Sequence, residues 1–164
     1  MRVLGIDPGV ARLGFGVVEE VGGRLRALDF GVVRTSPEDS LVKRLGFIHR
    51  QVEDLLDRWT PDLLAMEEVF FQRNVSSALA VGHVRGAILV AAFARGLEVR
   101  GFPPHLVKMA VTGEARANKA QVQHMVQLLL RLAEGMAADA ADALAVAICS
   151  LNQMPFLEAL ERQR

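Results

Sequence analysis

The chain has 164 residues, of which 51% are hydrophobic, and its 19 lysine and arginine residues balance 19 acidic residues. This length and composition predict a single packed domain and exclude a disordered chain. The single cysteine excludes an internal disulfide and a cysteine-ligated zinc site, and a net charge of zero means that any nucleic-acid contact must come from a local basic patch.

The sequence also carries an expectation about location. The longest apolar run, residues 86–94, is too short to cross a membrane, and no signal peptide precedes the first predicted strand. We therefore expect a soluble, cytoplasmic protein that does not contact a membrane.

The first apolar segment ends in a carboxylate. Residues 2–7 predict a buried strand that ends at Asp7, and Pro8-Gly9 then turns the chain. An ionised carboxylate is costly to bury unless a positive charge compensates it. Two interpretations stay open at this point. Either a metal ion or an arginine such as Arg12 supplies that charge, or the carboxylate bonds the backbone amides of an Asp-Pro-Gly turn.

The rest of the chain alternates between strand and helix patterns. Residues 14–20 and 24–34 predict two further strands, joined as a hairpin across Gly22-Gly23. Apolar spacing then predicts strands at 62–68 and 97–102, and helices at 38–59, 76–95, 119–132 and from just after Gly135 to about Gln153, with a short helix or turn at 106–111. This order predicts an α/β fold with a five-stranded mixed sheet flanked by helices. We expect one domain over residues 1–154 and a C-terminal tail over 155–164.

Four acidic residues are expected to converge at one end of this sheet. Asp7 and Glu67 each end an apolar strand, and functional groups gather at the carboxyl ends of strands in such sheets. Asp139 and Asp142 lie three residues apart in the first turns of the last helix, so they share a face. Taken alone, they are also explained as ordinary acids at a helix N-terminus. The alanines around them allow this helix to pack closely on the sheet, which favours convergence.

The acidic cluster predicts a metal centre. Four neighbouring carboxylates repel one another unless cations neutralise them. Oxygen ligands without a cysteine partner indicate Mg²⁺ or Mn²⁺ rather than zinc. Two such ions about 4 Å apart activate a water molecule and stabilise the leaving oxygen in phosphodiester hydrolysis. We therefore expect two ions held by all four carboxylates.

Four sequence motifs carry a family resemblance. They are GIDPG at residues 5–9, AMEEVF at 65–70, QVQHMV at 121–126 and DAADALA at 139–145. On these motifs the chain resembles the RuvC family of bacterial Holliday-junction endonucleases over nearly its whole length. The resemblance marks Glu67, not Glu68, as the ligand, and some relatives have histidine in place of Asp139.

This resemblance implies fold, activity and partners. It implies a ribonuclease-H-like fold and a homodimer that makes paired, symmetric nicks in four-way DNA junctions during recombination and repair, using Mg²⁺ or Mn²⁺. It also implies cooperation with the junction-binding and branch-migration motor proteins of the same pathway. The helix at 76–95, with its small residues Ala78, Gly82 and Gly86, is the candidate dimer contact, although the same residues could pack on their own sheet instead.

Two groups of residues are candidates for DNA contact. Phe70, Phe71 and Arg73 follow Glu67, and an exposed aromatic ring can stack on an unpaired base for about 1–3 kcal/mol. Both rings could instead be core, but adjacent residues of an extended segment point in opposite directions, so we expect one buried ring and one free ring. The resemblance assigns the DNA-facing role to Phe70.

The second group is a basic stretch. Lys108, Arg116 and Lys119 flank one loop, and Glu114 is the only acid between His105 and Met125. Such a stretch is either a solvated helix surface or a phosphate-binding patch. The resemblance favours DNA binding by the two lysines.

Two other functions share features with this sequence. A sugar-kinase or actin-like ATPase also opens with strand, Asp, Gly and strand, but it needs two related domains and a second glycine-rich phosphate motif, for which this chain is too short. A ribonuclease-H-like enzyme acting on RNA, or an inactive binding module of the same fold, is the second alternative. The complete set of carboxylates argues against an inactive module, whereas the sequence leaves RNA open as a substrate.

Overall fold

The computed structural model describes the backbone of residues 1–68 and 75–161 and the side chains up to Gln153. The candidate DNA contacts Phe70, Phe71 and Arg73 lie outside the described residues. Within the described part the elements are β1 (Arg2–Asp7), β2 (Arg12–Val21), β3 (Arg24–Arg34), α1 (Leu41–Trp59), β4 (Leu63–Glu67), α2 (Val75–Phe93), β5 (Val99–Phe102), α3 (Pro104–Thr112), α4 (Lys119–Leu130) and α5 (Ala138–Glu161).

The strands form the predicted mixed sheet. Their order is β3-β2-β1-β4-β5, with β1 antiparallel to β2, β2 antiparallel to β3, and β4 parallel to both β1 and β5. The β2–β3 hairpin turns at Gly22 and Gly23, whose φ angles of +59° and +77° favour glycine at both positions. The predicted five-stranded sheet and its hairpin are therefore confirmed.

Helices cover both faces of the sheet because side chains alternate along the buried strands. Val3 and Leu63 face a core shared with α3, α4 and α5. Leu4 and Leu64, the next residues along, face a second core shared with α1 and α2. Burial on both faces explains why β1 and β4 are continuously apolar instead of alternating with polar residues.

Several helix boundaries differ from the sequence-based expectation, among them the start of α1 and the end of α5. Helix α1 begins at Leu41 and not at residue 38, because the Ser40 side chain caps it by accepting a hydrogen bond from the Lys43 amide at 3.5 Å. Helix α5 continues through position 155 to Glu161, beyond the predicted end near Gln153, so Pro155 does not interrupt the helix. The division into a domain of residues 1–154 and a tail of 155–164 stays a prediction.

A polar network closes the end of the sheet where β1 begins. The Arg2 amide donates to Asp62 Oδ2 at 2.7 Å, and its guanidinium donates to Glu19 Oε1 at 2.9 Å and to the Trp59 carbonyl oxygen. The Trp59 indole donates to Asp29 Oδ2 at 3.0 Å. Side chains from three strands and a helix thus join at this end, opposite the carboxyl ends of β1 and β4.

Helix α5 lies unusually close to the middle of the sheet. A Cβ atom added at Gly5 would lie 2.1 Å from the Ala143 carbonyl oxygen, and one added at Gly14 would lie 2.0 Å from the Asp139 carbonyl oxygen. At Gly16 it would lie 2.6 Å from the Leu144 side chain. Only residues without a Cβ allow this approach. The glycines of β1 and β2 therefore set the position of α5.

This close approach predicts opposite effects for two glycine substitutions. Gly5→Ala should destabilise the protein by at least about 1–3 kcal/mol, because the new methyl group meets backbone that cannot move aside. Gly46→Ala, inside α1 and only 3.8 Å from the flexible Arg50 side chain, should stabilise it by up to about 1 kcal/mol through helix propensity. Chemical denaturation of both variants tests this pair, and a stable Gly5→Ala protein would contradict the close contact.

Candidate active site

The sheet places two carboxylates side by side. Asp7 is the last residue of β1 and Glu67 the last residue of β4. The two strands are parallel and neighbouring, and Ile6 pairs with Met66, so the following residues emerge at the same end. Helix α5 supplies Asp139 and Asp142 from its first turns, and Gly14, which pairs with Asp7 across β1 and β2, lies against the Asp139 backbone. The predicted convergence of four carboxylates is therefore present.

The electrostatics of Asp7 reflect this crowding. Burial is the main cause that raises the pKa of Asp7 to about 7, and the negative charges of Asp142, Glu67 and Asp139 add to it. The positive charge of Lys119 opposes the shift. Asp7 is thus a carboxylate whose ionised form the surroundings do not fully compensate.

Glu67 has a similar environment. Burial is the largest cause that raises the pKa of Glu67, and the negative charge of Asp142 raises it further. The positive charges of Lys119 and Lys108 lower it. Glu67, Lys108, Lys119 and Asp142 line one cavity of about 250 Å³. The cavity thus combines carboxylates with two of the predicted DNA-binding cations.

Lys119 binds the cluster directly. Its Nζ donates a hydrogen bond to Asp142 Oδ2 at 3.2 Å, and this neighbouring charge raises the pKa of Lys119. The lysine side chain remains 83% exposed, so its ammonium group also faces solvent. Lys119 begins α4 under a capping box made by Asn118 and Gln121, which fixes the helix end that presents it.

Arg12 differs from the sequence-based suggestion. The sequence suggests Arg12 as one possible counter-ion for Asp7. In the structure its guanidinium contacts Asp139 instead, with 2.6 Å between Arg12 Nη2 and Asp139 Oδ2. That contact lacks hydrogen-bond geometry, and the buried Oδ2 atom has no hydrogen-bond donor among the described residues. Arg12 starts β2, and from there its side chain contacts Asp139 in the first turn of α5.

One residue of the site was missed from the sequence. Arg85, in the middle of α2, donates a hydrogen bond at 2.6 Å to the backbone carbonyl oxygen of Glu67. In the sequence, Arg85 is simply the charged residue that precedes the apolar run at 86–94. No pattern in the neighbouring residues connects it to Glu67. It fixes the end of β4 from the helix that packs on the opposite face of the sheet.

Of the remaining predicted DNA contacts, the structure describes only Arg116. Arg116 is exposed in the connection between α3 and α4, so it is accessible to a ligand. Phe70, Phe71 and Arg73 lie outside the described residues, and their roles stay predictions.

The donor chemistry of the cluster fits a hard divalent cation. All four candidate ligands offer carboxylate oxygens, which Mg²⁺ and Mn²⁺ prefer, and Asp7 and Asp139 Oδ2 are buried without full compensation. Within the described part of the chain, no three His, Cys, Asp or Glu side chains are already gathered closely enough to hold one ion. Asp139 and Asp142 contact Arg12 and Lys119 instead, so ion binding requires these side chains to rearrange.

Known proteins resemble the chain in sequence and in structure. The family model described as "Crossover junction endodeoxyribonuclease RuvC" matches residues 3–150. A protein of that name from Thermomicrobium roseum is 51% identical over 150 residues, covering 91% of each chain, and one from Heliobacterium modesticaldum is 48% identical, covering 94% of this chain and 96% of its own.

Solved structures agree. The RuvC structure of Thermus thermophilus in complex with Holliday junction substrate has a TM-score of 0.91 and 41% identity, covering 95% of this chain and 96% of that one. The yeast mitochondrial Holliday junction resolvase, at 14% identity and a TM-score of 0.70, shares the fold. These neighbours confirm the predicted ribonuclease-H-like fold.

The raised pKa of Asp7 predicts a pH dependence of stability in the presence of a chelator. The folded protein keeps a proton on Asp7 that the unfolded chain loses between about pH 4 and pH 7, so folding stability falls as pH rises through this window. Asp7→Asn removes this penalty. We expect its melting temperature to exceed that of the wild type by at least about 2–4 °C above pH 7, the shift that 1 kcal/mol produces in a chain of this size.

This gain should vanish well below pH 3.8, the ordinary pKa of an aspartate, where the folded and the unfolded wild type both carry the proton. Asp54→Asn, an exposed change on α1, serves as the matched control and should leave the curve unchanged. A pH-independent effect of Asp7→Asn would contradict the electrostatic origin.

Proposed function

Because this chain belongs to the RuvC family of crossover junction endodeoxyribonucleases, we propose that it resolves four-way DNA junctions with Asp7, Glu67, Asp139 and Asp142 as its catalytic carboxylates. It is an endonuclease that acts on Holliday junctions. The single observation that carries the residue assignment is the convergence of Asp7, Glu67 and Asp142 from two strand ends and one helix. Burial, and then the charges of these neighbours, raise the pKa of Asp7 to about 7.

The carboxylates would hold Mg²⁺ or Mn²⁺, with two ions per site. When bound, such ions activate water and stabilise the oxygen that leaves in phosphodiester hydrolysis. The role of Asp7 and Glu67 is to present oxygen ligands from rigid strand ends. Asp139 and Asp142 add ligands from α5, whose position the glycines of the sheet fix. Rigid placement of this kind is what catalytic ligands require.

Lys108 and Lys119 would bind phosphate at the same cavity. Both line it beside Glu67, and the Lys119 side chain is largely exposed. A lysine ammonium group beside a DNA phosphate releases counterions and so strengthens binding at low salt. We propose that these lysines, with Arg116, hold the backbone of the cleaved strand, and that Phe70, Phe71 and Arg73 contact the junction beside it.

The outer face of α2 supports a homodimer. Leu79, Val90 and Phe93 are 60%, 59% and 86% exposed. With Gly82 and Gly86 they follow spacings of three and four residues, so they form one apolar stripe. Among the described residues, no atom lies within 4 Å of a Cβ added at either glycine. The small residues thus leave room for a second helix and do not pack on their own sheet.

Two-fold symmetry suits the substrate. A homodimer with one site in each subunit presents two equivalent centres, and a four-way junction presents two equivalent scissile phosphates. We therefore propose paired, symmetric nicks, made in the cytoplasm together with the junction-binding and branch-migration motor proteins of the same pathway.

A membrane is the other surface that α2 could meet. It is, in the described part of the chain, the one helix long and apolar enough to cross a bilayer, judged by length and composition only. However, Val84, Ile88, Ala91 and Ala92 are buried against the rest of the fold, and Arg85 bonds the Glu67 carbonyl. A membrane-spanning position would break these contacts, so we assign the exposed stripe to a second copy of the chain.

Cleavage assays test the carboxylates. Glu67→Gln should reduce the rate at which a four-way DNA junction is nicked in Mg²⁺ by more than roughly 10–100-fold. That range is the usual cost of losing a group that only hydrogen-bonds to a metal ligand, whereas Glu67 is proposed to be a ligand itself. Junction binding should persist, since the amide keeps the shape. Glu68→Gln, one residue away, is the matched control and should cleave normally. Linear duplex and an RNA–DNA hybrid of the same sequence should be poor substrates. Normal cleavage by Glu67→Gln would overturn the assignment.

Sedimentation tests the dimer. Gly86→Arg should convert the protein to monomers that stay folded, because the described residues leave open space there and arginine favours helix more than glycine does. Val42→Arg changes a residue of α1 that is 80% exposed and should leave the dimer intact. A Gly86→Arg protein that stays dimeric would place the interface elsewhere.

A further inference from the structure

The contact between Arg12 and Asp139 has no assigned role in the proposed reaction. The guanidinium Nη2 lies 2.6 Å from Asp139 Oδ2, and the side chains of the two residues are 47% and 27% exposed. The Oδ2 atom itself is buried and has no hydrogen-bond donor among the described residues. Its charge is therefore compensated by Arg12 through proximity, without the directional bonds that would make the contact permanent.

The backbone holds both partners in place. The turn before Arg12 is fastened to the end of β3, because the Thr35 amide donates to the Ala11 carbonyl oxygen at 3.1 Å and the Thr35 hydroxyl donates to the Val10 carbonyl oxygen at 2.5 Å. Asp139 lies against Gly14, two residues after Arg12. The two side chains thus meet because their backbones are fixed, and the pair does not depend on a flexible loop closing.

We propose that Arg12 is a positioning residue that competes with the divalent cation for the Asp139 carboxylate. This inference rests on the proposed function, since it assumes that Asp139 is a cation ligand. The arginine neutralises Asp139 while no ion is bound there, which limits the repulsion among the four carboxylates. Binding of the ion then exchanges Arg12 for the metal. Arg12 thereby sets the cation concentration at which this carboxylate is loaded.

A titration with Mn²⁺ alone tests this competition without measuring cleavage. Electron paramagnetic resonance of free Mn²⁺ gives the dissociation constant. Arg12→Gln should bind Mn²⁺ about 3–10-fold more tightly than the wild type, the factor that corresponds to an ion pair of about 1 kcal/mol. Arg34→Gln is the matched control. Arg34 is exposed and pairs with Arg12 across β2 and β3, so its loss removes the same charge from the neighbouring position without changing the contact to Asp139.

Thermal unfolding in a chelator gives a second, independent measurement. Arg12→Gln should lower the melting temperature when Asp139 is present and should have no effect in an Asp139→Asn background, because the interaction needs both partners. The double-mutant comparison separates a specific pair from a general effect of the arginine on folding.

The outcomes distinguish this inference from the function on which it rests. If the wild type binds Mn²⁺ but Arg12→Gln binds it no more tightly than Arg34→Gln, Arg12 does not compete and the inference is wrong. Weaker binding by Arg12→Gln would also overturn it, since Arg12 would then be preparing Asp139 for the ion. If the wild type binds no Mn²⁺, the assigned cation fails and this inference fails with it.

Discussion

The contact between α5 and the backbone of β1 and β2 is the constraint on which the rest of the site depends. Gly5, Gly14 and Gly16 let the helix approach so closely that any side chain would collide with it. Because Asp139 and Asp142 lie in the first turns of that helix, the same contact brings them to the end of β1 where Asp7 emerges. Three residues without side chains thus decide where the carboxylates of Asp139 and Asp142 lie.

Close placement of carboxylates has an electrostatic cost, which cations from separate elements partly offset. Arg12 comes from β2 and contacts Asp139, while Lys119 comes from the start of α4 and bonds Asp142. Among the described residues, no lysine or arginine makes such a contact with the carboxylate of Asp7 or Glu67. These are the two carboxylates of the cluster whose pKa is raised. Asp139 and Asp142 therefore have counter-ions from the protein itself. Asp7 and Glu67 would be stabilised by a positive charge from a bound ion.

The strand ends and the first turn of α5 could be predicted because local sequence determines them. Apolar runs that stop at Asp7 and Glu67 define strands, and alanines around Asp139 and Asp142 indicate a closely packed helix. Tertiary contacts could not be predicted in this way. Arg12 was suggested as a partner of Asp7 but contacts Asp139, and Arg85 reaches Glu67 from a helix on the other face. Neither pairing has a signature in neighbouring residues, since each depends on how separate elements pack.

The two ends of the sheet are held by different kinds of contact. At the end where β1 begins, each hydrogen bond uses at least one side chain: the Arg2 guanidinium donates to Glu19, the Asp62 carboxylate accepts from the Arg2 amide, and the Trp59 indole donates to Asp29. Holding a side chain in such a bond costs rotamer entropy. At the opposite end, helix backbone rests on strand backbone and has no rotamer to lose. Exchanging residues in the network therefore changes the stability of that end of the sheet, while the backbone contact that spaces the carboxylates stays as it is.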